Sequence, residues 1–508
     1  MDAPTTATPP SVGERDSAAS GPAAAGPAGR APQADRLPRE HFTVIALLLI
    51  SAFVVILNET TMGVALPPIM DDLGVAASTG QWLTTAFMLT MAVVIPATGF
   101  LLQRLGTRGS YLLAMSLFSA GTLLAALAPS FAVLVTARVV QATGTAIMMP
   151  LLMTTIMTLV PPHLRGRVMG NISLVIAAAP ALGPTMSGAV LGPFGWRGVF
   201  TVVLPIALAT LVAGALLVRD VADRKHQALD PLSLMLAAVG FGGLVYGLSS
   251  LGEAARGHVP VPPAVPLVVG AVFLGLFVVR QLRLQRADVA LLDLRVFKAS
   301  GFSPALGAMA VSMLAMFGAL ILLPLLLQDA LGLEPLATGL LVLPGGLAMG
   351  LLGPVIGNLY DRIGPRPLVL PGTVAVVVAL AGMSTVTPTT SPFVVLAAHV
   401  VMSLGLALVF TPLFTAALGA LTPNLYSHGS AAIGTVQQLA GAAGTAMFVA
   451  VFTARSVSLS DDGTSAASAL TGGSQLAFIA GAAVMVVAVG LAFLVRKPAE
   501  TEGGPAFH

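Results

Sequence analysis

The feature that most constrains this chain is a series of fourteen apolar runs, most of them 20–25 residues long. A run of about 20 apolar residues is long enough to cross the hydrocarbon core of a bilayer as an α-helix. Only 9% of the 508 residues are charged, whereas a soluble domain carries about 25%. The runs are continuous rather than alternating, which argues against a membrane β-barrel. The sequence therefore predicts an all-α membrane protein with fourteen transmembrane helices. The limits of the runs are 43–66, 80–102, 110–129, 131–154, 168–191, 199–218, 232–251, 264–284, 303–327, 336–358, 367–387, 392–418, 429–452 and 475–495.

The basic residues predict the orientation of these runs. Of the 24 Lys and Arg residues, 20 fall in the termini and in alternate loops on one side, and Arg197, Arg256 and Arg455 fall on the other. Because cytoplasmic loops carry the excess of Lys and Arg, we expect both termini to be cytoplasmic. The predicted location is the plasma membrane, which the chain crosses many times.

The chain also repeats itself. Gly99–Arg108 reads GFLLQRLGTR, and Gly357–Arg366, 258 residues later, reads GNLYDRIGPR. Arg138–Ala146 and His399–Ala407 match at an offset of 261. Runs 1–6 thus correspond to runs 9–14, which predicts two six-helix bundles related by pseudo-symmetry, with two inserted helices between them. Paired bundles of this kind are typical of alternating-access transporters, which bind substrate near the midplane.

Five segments follow from this pattern. The first is rich in Ala, Pro, Gly, Ser and Thr, which predicts a disordered cytoplasmic arm. The segments are the arm at 1–41, a first bundle at 42–220, inserted helices and a linker at 221–300, a second bundle at 301–496 and a tail at 497–508.

Two charged residues lie well inside the runs, and both belong to the first bundle. Glu59 and Arg138 each lie seven residues from the outer end of their runs, or about 10 Å deep at 1.5 Å per residue. A charge at such a depth costs on the order of 3 kcal/mol. Burial favours the protonated form of Glu59, and Arg138 would hold the ionised form. A proton-coupling pair and a static ion pair between the first and fourth runs both fit this pattern.

Four motifs resemble the major facilitator superfamily, and in particular its fourteen-span drug:proton antiporters of the EmrB/QacA type. They are the two loops quoted above, LNETTMGVALP at Leu57–Pro67 in the first run, Arg138 with Gln141 in the fourth, and APALGPTMSG at Ala179–Gly188 in the fifth. The resemblance covers residues 43–495. The sequence departs from the family at two positions. In the first-run motif, Asn58 stands where an Asp is usual, and the acid is at Glu59 instead. In the first loop, Gln103 replaces a common Asp.

The resemblance implies a role for each motif. Proton coupling falls to Glu59, Arg138 and Asn58. The resemblance also implies that the antiporter motif makes a tight, leak-resistant contact between the bundles, and ordinary helix packing is the alternative role of this motif. The motif residues are Gly183, Pro184, Ser187 and Gly188. The loop residues either gate the conformational change or simply keep positive charge on the cytoplasmic side. They are Gln103, Arg104, Arg108, Asp361, Arg362 and Arg366.

Other polar residues inside the runs have less definite roles. His399 occupies the position that matches Arg138, and it is either a second titratable site, a hydrogen-bonded core residue or a substrate contact. Residues that either line the substrate pathway or bond between helices are Gln141, Gln328, Gln437 and Gln438.

The residue types present in the chain argue against an enzyme and favour a transporter. The chain has no Cys, no phosphate-binding loop and no clustered metal ligands, so we expect no cofactor, no metal and no nucleic acid partner. Without a nucleotide site, transport must draw on an ion gradient. We therefore expect a monomeric, proton-coupled antiporter that exports small amphipathic or lipophilic molecules such as drugs. The alternatives are a dedicated exporter or importer of one metabolite and a membrane sensor or scaffold that does not transport.

Overall fold

The computed structural model describes residues 38–220, 229–254 and 261–497, and the regular structure in these ranges is helical. The predicted arm and tail lie almost wholly outside the described residues. Twelve helices in these ranges are long and apolar enough to cross a membrane. They are α1 (Arg39–Leu73), α2 (Trp82–Ala126), α3 (Phe131–Leu159), α4 (Arg165–Leu217), α5 (Pro231–Ala254), α6 (Ala264–Leu284), α7 (Phe302–Leu325), α8 (Pro335–Ile363), α9 (Arg366–Met383), α10 (Pro392–Gly419), α11 (Tyr426–Asp461) and α12 (Ala466–Ala492).

The structure thus has twelve such helices where the sequence predicts fourteen. Runs 2 and 3 join in the 45 residues of α2, and runs 5 and 6 join in the 53 residues of α4. The junctions are Gly106 (φ 72°, ψ −179°) and Gly195 (φ 64°, ψ −174°), whose backbones are not helical. The two runs on either side follow each other without an intervening loop, so each pair forms one interrupted helix.

The internal repeat reappears in the backbone. Gly74 and Gly332, 258 residues apart, have φ values of 62° and 70°, and Gly106 and Gly364 have 72° and 79°. Positive φ values favour glycine because it lacks a Cβ atom. The same turn is therefore made at equivalent places in both bundles.

Equivalent helices also pack alike. In the first bundle α4 lies against α1, and a Cβ atom at Gly183 would meet Thr60 Oγ1 at 2.1 Å. In the second bundle α11 lies against α7, and a Cβ atom at Gly444 would meet the carbonyl oxygen of Leu314 at 2.1 Å. Glycine at each position lets the two helix backbones approach closely.

The two bundles meet through α4 with α8 and through α2 with α11. Gly166 and Gly170 of α4 face Gly357 and Gly353 of α8, and a Cβ atom at Gly357 would lie 2.0 Å from the Gly166 carbonyl oxygen. We call this side of the molecule, where α4 and α11 begin, the loop end. The inserted helix α5 packs against both α2 and α11, and α6 packs on α5.

Candidate functional site

A cavity of about 190 Å³ lies between the bundles, with walls from both. Most of its lining is apolar, and methionine side chains are prominent in it. The lining methionines are Met91, Met148, Met149, Met153 and Met313. The polar part of the wall contains Glu59 from the first bundle and Gln437 with Gln438 from the second.

Glu59 is the one ionisable residue among those that line this cavity. It lies in the middle of α1 and keeps a partly exposed side chain, whereas the preceding Asn58 is fully buried. Adjacent residues of a helix point about 100° apart, so Glu59 faces the cavity while Asn58 faces the helices behind it. The position matching Glu59 in the second bundle is Phe317, which also lines the cavity.

Arg138 lies in α3 and is the largest fully buried side chain of the described residues, with 1% exposure. Its Nη1 donates to Gln141 Oε1 at 2.9 Å and to Asn58 Oδ1 at 3.4 Å. The guanidinium also lies 4.0 Å from the ring centre of Phe87, a cation–π contact that stabilises a desolvated cation. Gln141 in turn donates to Thr122 Oγ1 at 2.8 Å. In the structure, Gln141 therefore holds Arg138 in place and does not line the cavity.

Glu59 and Arg138 attract each other electrostatically. They form no direct ion pair within 4.0 Å among the described contacts, and Arg138 Nε and Asn58 Nδ2 have no hydrogen-bond partner. Two buried donors of this cluster thus remain without an acceptor. A buried donor without a partner carries a desolvation cost that an anionic acceptor would remove.

His399 and Gln328 do not line this cavity. His399 in α10 is 7% exposed and hydrogen-bonds to the backbone of Val342 in α8. It packs against Gly345, where a Cβ atom would lie 2.6 Å from its Nε2. Gln328 lies in the π-helical turn Leu326–Ala330 that follows α7.

Gly183 and Ser187 of the antiporter motif pack within the first bundle in this structure, and the predicted contact of the motif between the bundles stays a prediction. Gly183 lies against Thr60, and Ser187 Oγ donates to the Thr61 carbonyl at 3.2 Å. The side chain of Pro184 is outside the described set, and Gly188 is exposed, with nothing within 4 Å of an added Cβ atom. The bundles instead meet nearer the loop end, at the earlier glycines of α4. The motif thus buttresses the segment of α1 that carries Glu59.

The predicted loop residues Asp361 and Gln103 join the two bundles at the loop end. The Asp361 carboxylate accepts hydrogen bonds from the backbone N–H groups of Gly166 and Arg167, both at 2.8 Å. Gln103 Nε2 donates to the Asn424 carbonyl at 2.9 Å and to Ser427 Oγ at 3.1 Å. We call these two sets of hydrogen bonds the closing contacts.

The arginines of these loops stay outside the closing contacts. Arg104 and Arg362 are exposed. Arg108 donates to the Ala215 carbonyl at 2.8 Å within its own bundle, and the Arg366 guanidinium lies 5.5 Å from the ring centre of Phe493. Among the described residues, the closing contacts are thus made by helix ends and an amide rather than by ion pairs.

Sequence patterns missed several contacts between the bundles. Ser173 and Thr411 hydroxyls hydrogen-bond at 2.8 Å, and Thr154 Oγ1 donates to Ser430 Oγ at 3.2 Å. The only available signal was a hydroxyl residue within an apolar run, which is too frequent to single out a contact.

Comparison with known proteins assigns the chain to a family. The family model described as Major Facilitator Superfamily matches residues 48–445, and the chain belongs to this family. It is 38% identical to the uncharacterized MFS-type transporter YcnB of Bacillus subtilis over 91% of this chain and 97% of that protein. It is also 38% identical to the lincomycin resistance protein LmrB of Listeria monocytogenes over 89% of this chain and 96% of that protein.

More distant relatives and solved structures agree with this family. The multidrug resistance protein B homolog of Mycobacterium tuberculosis is 29% identical over 82% of this chain and 77% of that protein. The fold is similar to the human organic anion transporter MFSD10, with a TM-score of 0.63 at 17% identity over 90% of this chain and 100% of that one. The fold is also similar to that of the proton:xylose symporter XylE, with a TM-score of 0.59 at 15% identity over 89% of this chain and 94% of that one. The chain is thus a multi-pass membrane transporter for small molecules and not an enzyme.

Proposed function

We propose that this transporter is a proton-coupled antiporter that exports small amphipathic or lipophilic compounds across the plasma membrane. One observation carries the proposal: the single ionisable residue of the cavity, Glu59, lies within electrostatic reach of the buried Arg138. A transporter that exchanges substrate for protons needs an acid that both can reach.

The proposed exchange uses the positive charge of Arg138, which attracts Glu59. When Glu59 is ionised, this charge stabilises its carboxylate. When a proton arrives from outside, the neutral acid no longer needs this stabilisation, and the balance between the two arrangements changes. One proton that crosses about 100 mV supplies roughly 2.3 kcal/mol, which sustains an approximately fifty-fold gradient of substrate.

The cavity wall supports amphipathic substrates. Unbranched, polarisable methionine side chains adapt to ligands of different shapes, and five of them line this space. Gln437 and Gln438 add hydrogen-bonding groups from the second bundle. The resistance functions in the names of LmrB and the multidrug resistance protein B homolog are consistent with export of drugs.

We further propose that α2 and α4 each cross the membrane twice, which gives fourteen crossings with both termini cytoplasmic. A helix of 45 residues measures about 67 Å, more than twice the hydrocarbon thickness of about 30 Å. The glycine junctions at Gly106 and Gly195 would then lie on opposite sides of the membrane. Because the chain has no native Cys, Arg104→Cys and Gly192→Cys should react with an impermeant maleimide from the inside and the outside, respectively. Labelling of both from one side would contradict this topology.

Transport by the purified protein tests the proposed coupling. In proteoliposomes with an imposed pH gradient, Glu59→Gln should lose proton-driven uptake of a lipophilic dye, because its side chain cannot ionise. Glu334→Gln, which neutralises an exposed acid before α8, should transport as the wild type does. Full gradient-driven transport by Glu59→Gln would refute the proposal.

A further inference from the structure

A second cavity lies on the side of α2 that faces away from the cavity between the bundles. Leu89 and Val93 of α2 line this second cavity, whereas Met91 and Ile95 line the first. Its other walls come from α5 and α6, and its volume of about 520 Å³ is in the range of small-molecule sites. We call it the lateral groove. Since the two cavities share none of their described lining residues, the lateral groove is separate from the proposed substrate site.

The lateral groove exists because α6 packs on α5 and leaves a gap beside α2. On the groove side of α5, a Cβ atom at Gly242 would meet only Val93 of α2, at 3.5 Å. Val265 and Val269 of α6 line the opposite wall and are exposed. The apolar stretch of α6 is also the least buried among those of the twelve helices. The groove is therefore apolar and opens toward the surrounding lipid.

The length of the lateral groove matches the depth of one leaflet of a bilayer. Tyr246 lines one end and stacks on Trp82, the first residue of α2, with ring centres 6.2 Å apart. Val93 lies eleven residues further along α2, or about 16 Å at 1.5 Å per residue. One leaflet contributes half of a hydrocarbon thickness of about 30 Å. The groove thus extends from the membrane interface opposite the loop end to about the midplane.

The aromatic end of the groove also supplies polar groups. Trp and Tyr are typical of the membrane interface, where the ring contacts acyl chains and the N–H or O–H group meets the polar layer. Among the residues that the structure describes, neither the Trp82 indole N–H nor the Tyr246 hydroxyl has a hydrogen-bond partner. Both groups are therefore available to donate to the ester or phosphate oxygens of a lipid whose chain lies in the groove.

We propose that the lateral groove binds one phospholipid of the surrounding bilayer, with an acyl chain against Gly242 and Val93 and the ester region at Trp82 and Tyr246. Lipid tails are as apolar as the side chains around them, so the hydrophobic effect does not favour this site over other lipid-facing surfaces. The groove favours the chain because three helices surround it and offer more dispersion contacts than one helix surface does. The bound lipid fills the gap between α2 and α6 and so attaches the inserted helices to the first bundle. This role is independent of how Glu59 handles protons.

The two tryptophans of the chain allow lipid binding to be measured without a label. Trp82 is 44% exposed and Trp196 is 4% exposed, so a quencher that acts by contact reaches Trp82 alone. The purified full-length protein in detergent is titrated with phosphatidylcholine that carries bromine atoms near the ester end of one acyl chain. The fluorescence of Trp82 should fall to a plateau, and unbrominated phosphatidylcholine should restore it by competition.

Adjacent valines of α6 provide a matched pair of variants. Val269→Phe fills the groove and should abolish the saturable quenching. Val268→Phe changes an exposed residue outside the groove lining and should titrate as the wild type does. Tyr246→Phe keeps the stacked ring and removes the hydroxyl, so it should weaken lipid binding about two- to tenfold, the range expected for one hydrogen bond.

Several results would overturn the inference in protein that elutes as a single folded species. They are quenching without a plateau in the wild type, saturable quenching retained by Val269→Phe, an equal loss in Val268→Phe, and an unchanged affinity in Tyr246→Phe. Displacement of the brominated lipid by a lipophilic dye, but not by unbrominated phosphatidylcholine, would assign the groove to a transport substrate and would overturn the inference as well.

Discussion

Arg138 shows how one buried cation organises the centre of the first bundle. Its guanidinium is enclosed by an aromatic ring, an asparagine oxygen and a glutamine oxygen, so its position depends on neutral partners rather than on a direct acid contact. Glu59 is therefore left facing the cavity while it remains within reach of the positive charge. This division of roles fits the proposed binding and release of a proton by Glu59.

We expect Gln141→Leu to destabilise the protein by about 1–3 kcal/mol, because it leaves a buried guanidinium donor without its acceptor. The midpoint of thermal unfolding in detergent measures this loss. Gln437→Leu is the matched control, since its side chain lies at the cavity wall and its removal should shift the midpoint little. Equal midpoints for the two variants would contradict the supporting role of Gln141.

At the residue scale, the sequence singled out the charged residues inside the helices better than it predicted which residues surround them. Two charges inside apolar runs are costly enough to stand out, so Glu59 and Arg138 could be found without a structure. Gln141 could not be assigned, because an amide suits a substrate pathway and a helix contact equally well. His399 matched Arg138 by the repeat, but the helix faces that direct it onto Gly345 depend on tertiary packing.

At the scale of helices, α4 has two different small-residue surfaces. Gly166 and Gly170 approach α8 of the other bundle, whereas Gly183 and Ser187 approach α1 of their own. Small-residue spacing reveals that a helix packs closely, but not which neighbour it meets. The sequence could therefore predict a close contact at the antiporter motif but not that α1 is the helix it meets in this structure.

Gly183→Ala should reduce both stability and transport, because the added Cβ atom would lie 2.1 Å from Thr60 Oγ1 and must push α1 away. Overpacking of this kind costs about 1–3 kcal/mol. Gly188→Ala provides the control within the same motif, since nothing lies within 4 Å of its added atom. Thermal unfolding and dye transport of the two variants should differ clearly, and similar behaviour would argue against the packing role.

The inserted helices have a pH-dependent contact of their own. Arg280 Nε and Nη2 donate to Asp230 at 2.6 and 2.8 Å, and these bonds lower the pKa of Asp230 from 3.8 to about 2. Because the pKa is lower in the folded state, the contact stabilises the protein above about pH 4 and loses this effect as the pH falls toward 2.

Asp230→Asn should therefore lower the unfolding midpoint at pH 7, and its difference from the wild type should shrink between about pH 4 and pH 2. Thermal unfolding across this pH range measures the difference. Asp329→Asn, at an exposed acid after α7, should differ little from the wild type at any pH. A constant difference for Asp230→Asn down to pH 2 would show that the carboxylate charge is not responsible.

At the scale of the whole molecule, the repeat was readable because turns and close helix contacts constrain sequence strongly. The matched glycines at positions 74 and 332, and at 106 and 364, recur with the same backbone conformation. The number of separate helices was less predictable, since a glycine junction can join two apolar runs without a loop. The lateral groove had no signal in the sequence, because its walls come from helices as far apart in the chain as α2 and α6.

The proposed role of Glu59 is to be the group shared by proton and substrate, and substrate-induced proton release tests this role most directly. Addition of a lipophilic substrate to the purified wild-type protein in weakly buffered detergent should release protons, which a pH indicator dye records. Glu59→Gln should release none under the same conditions, whereas Glu334→Gln should match the wild type. Undiminished release from a folded Glu59→Gln protein that still binds the substrate would contradict this role of Glu59.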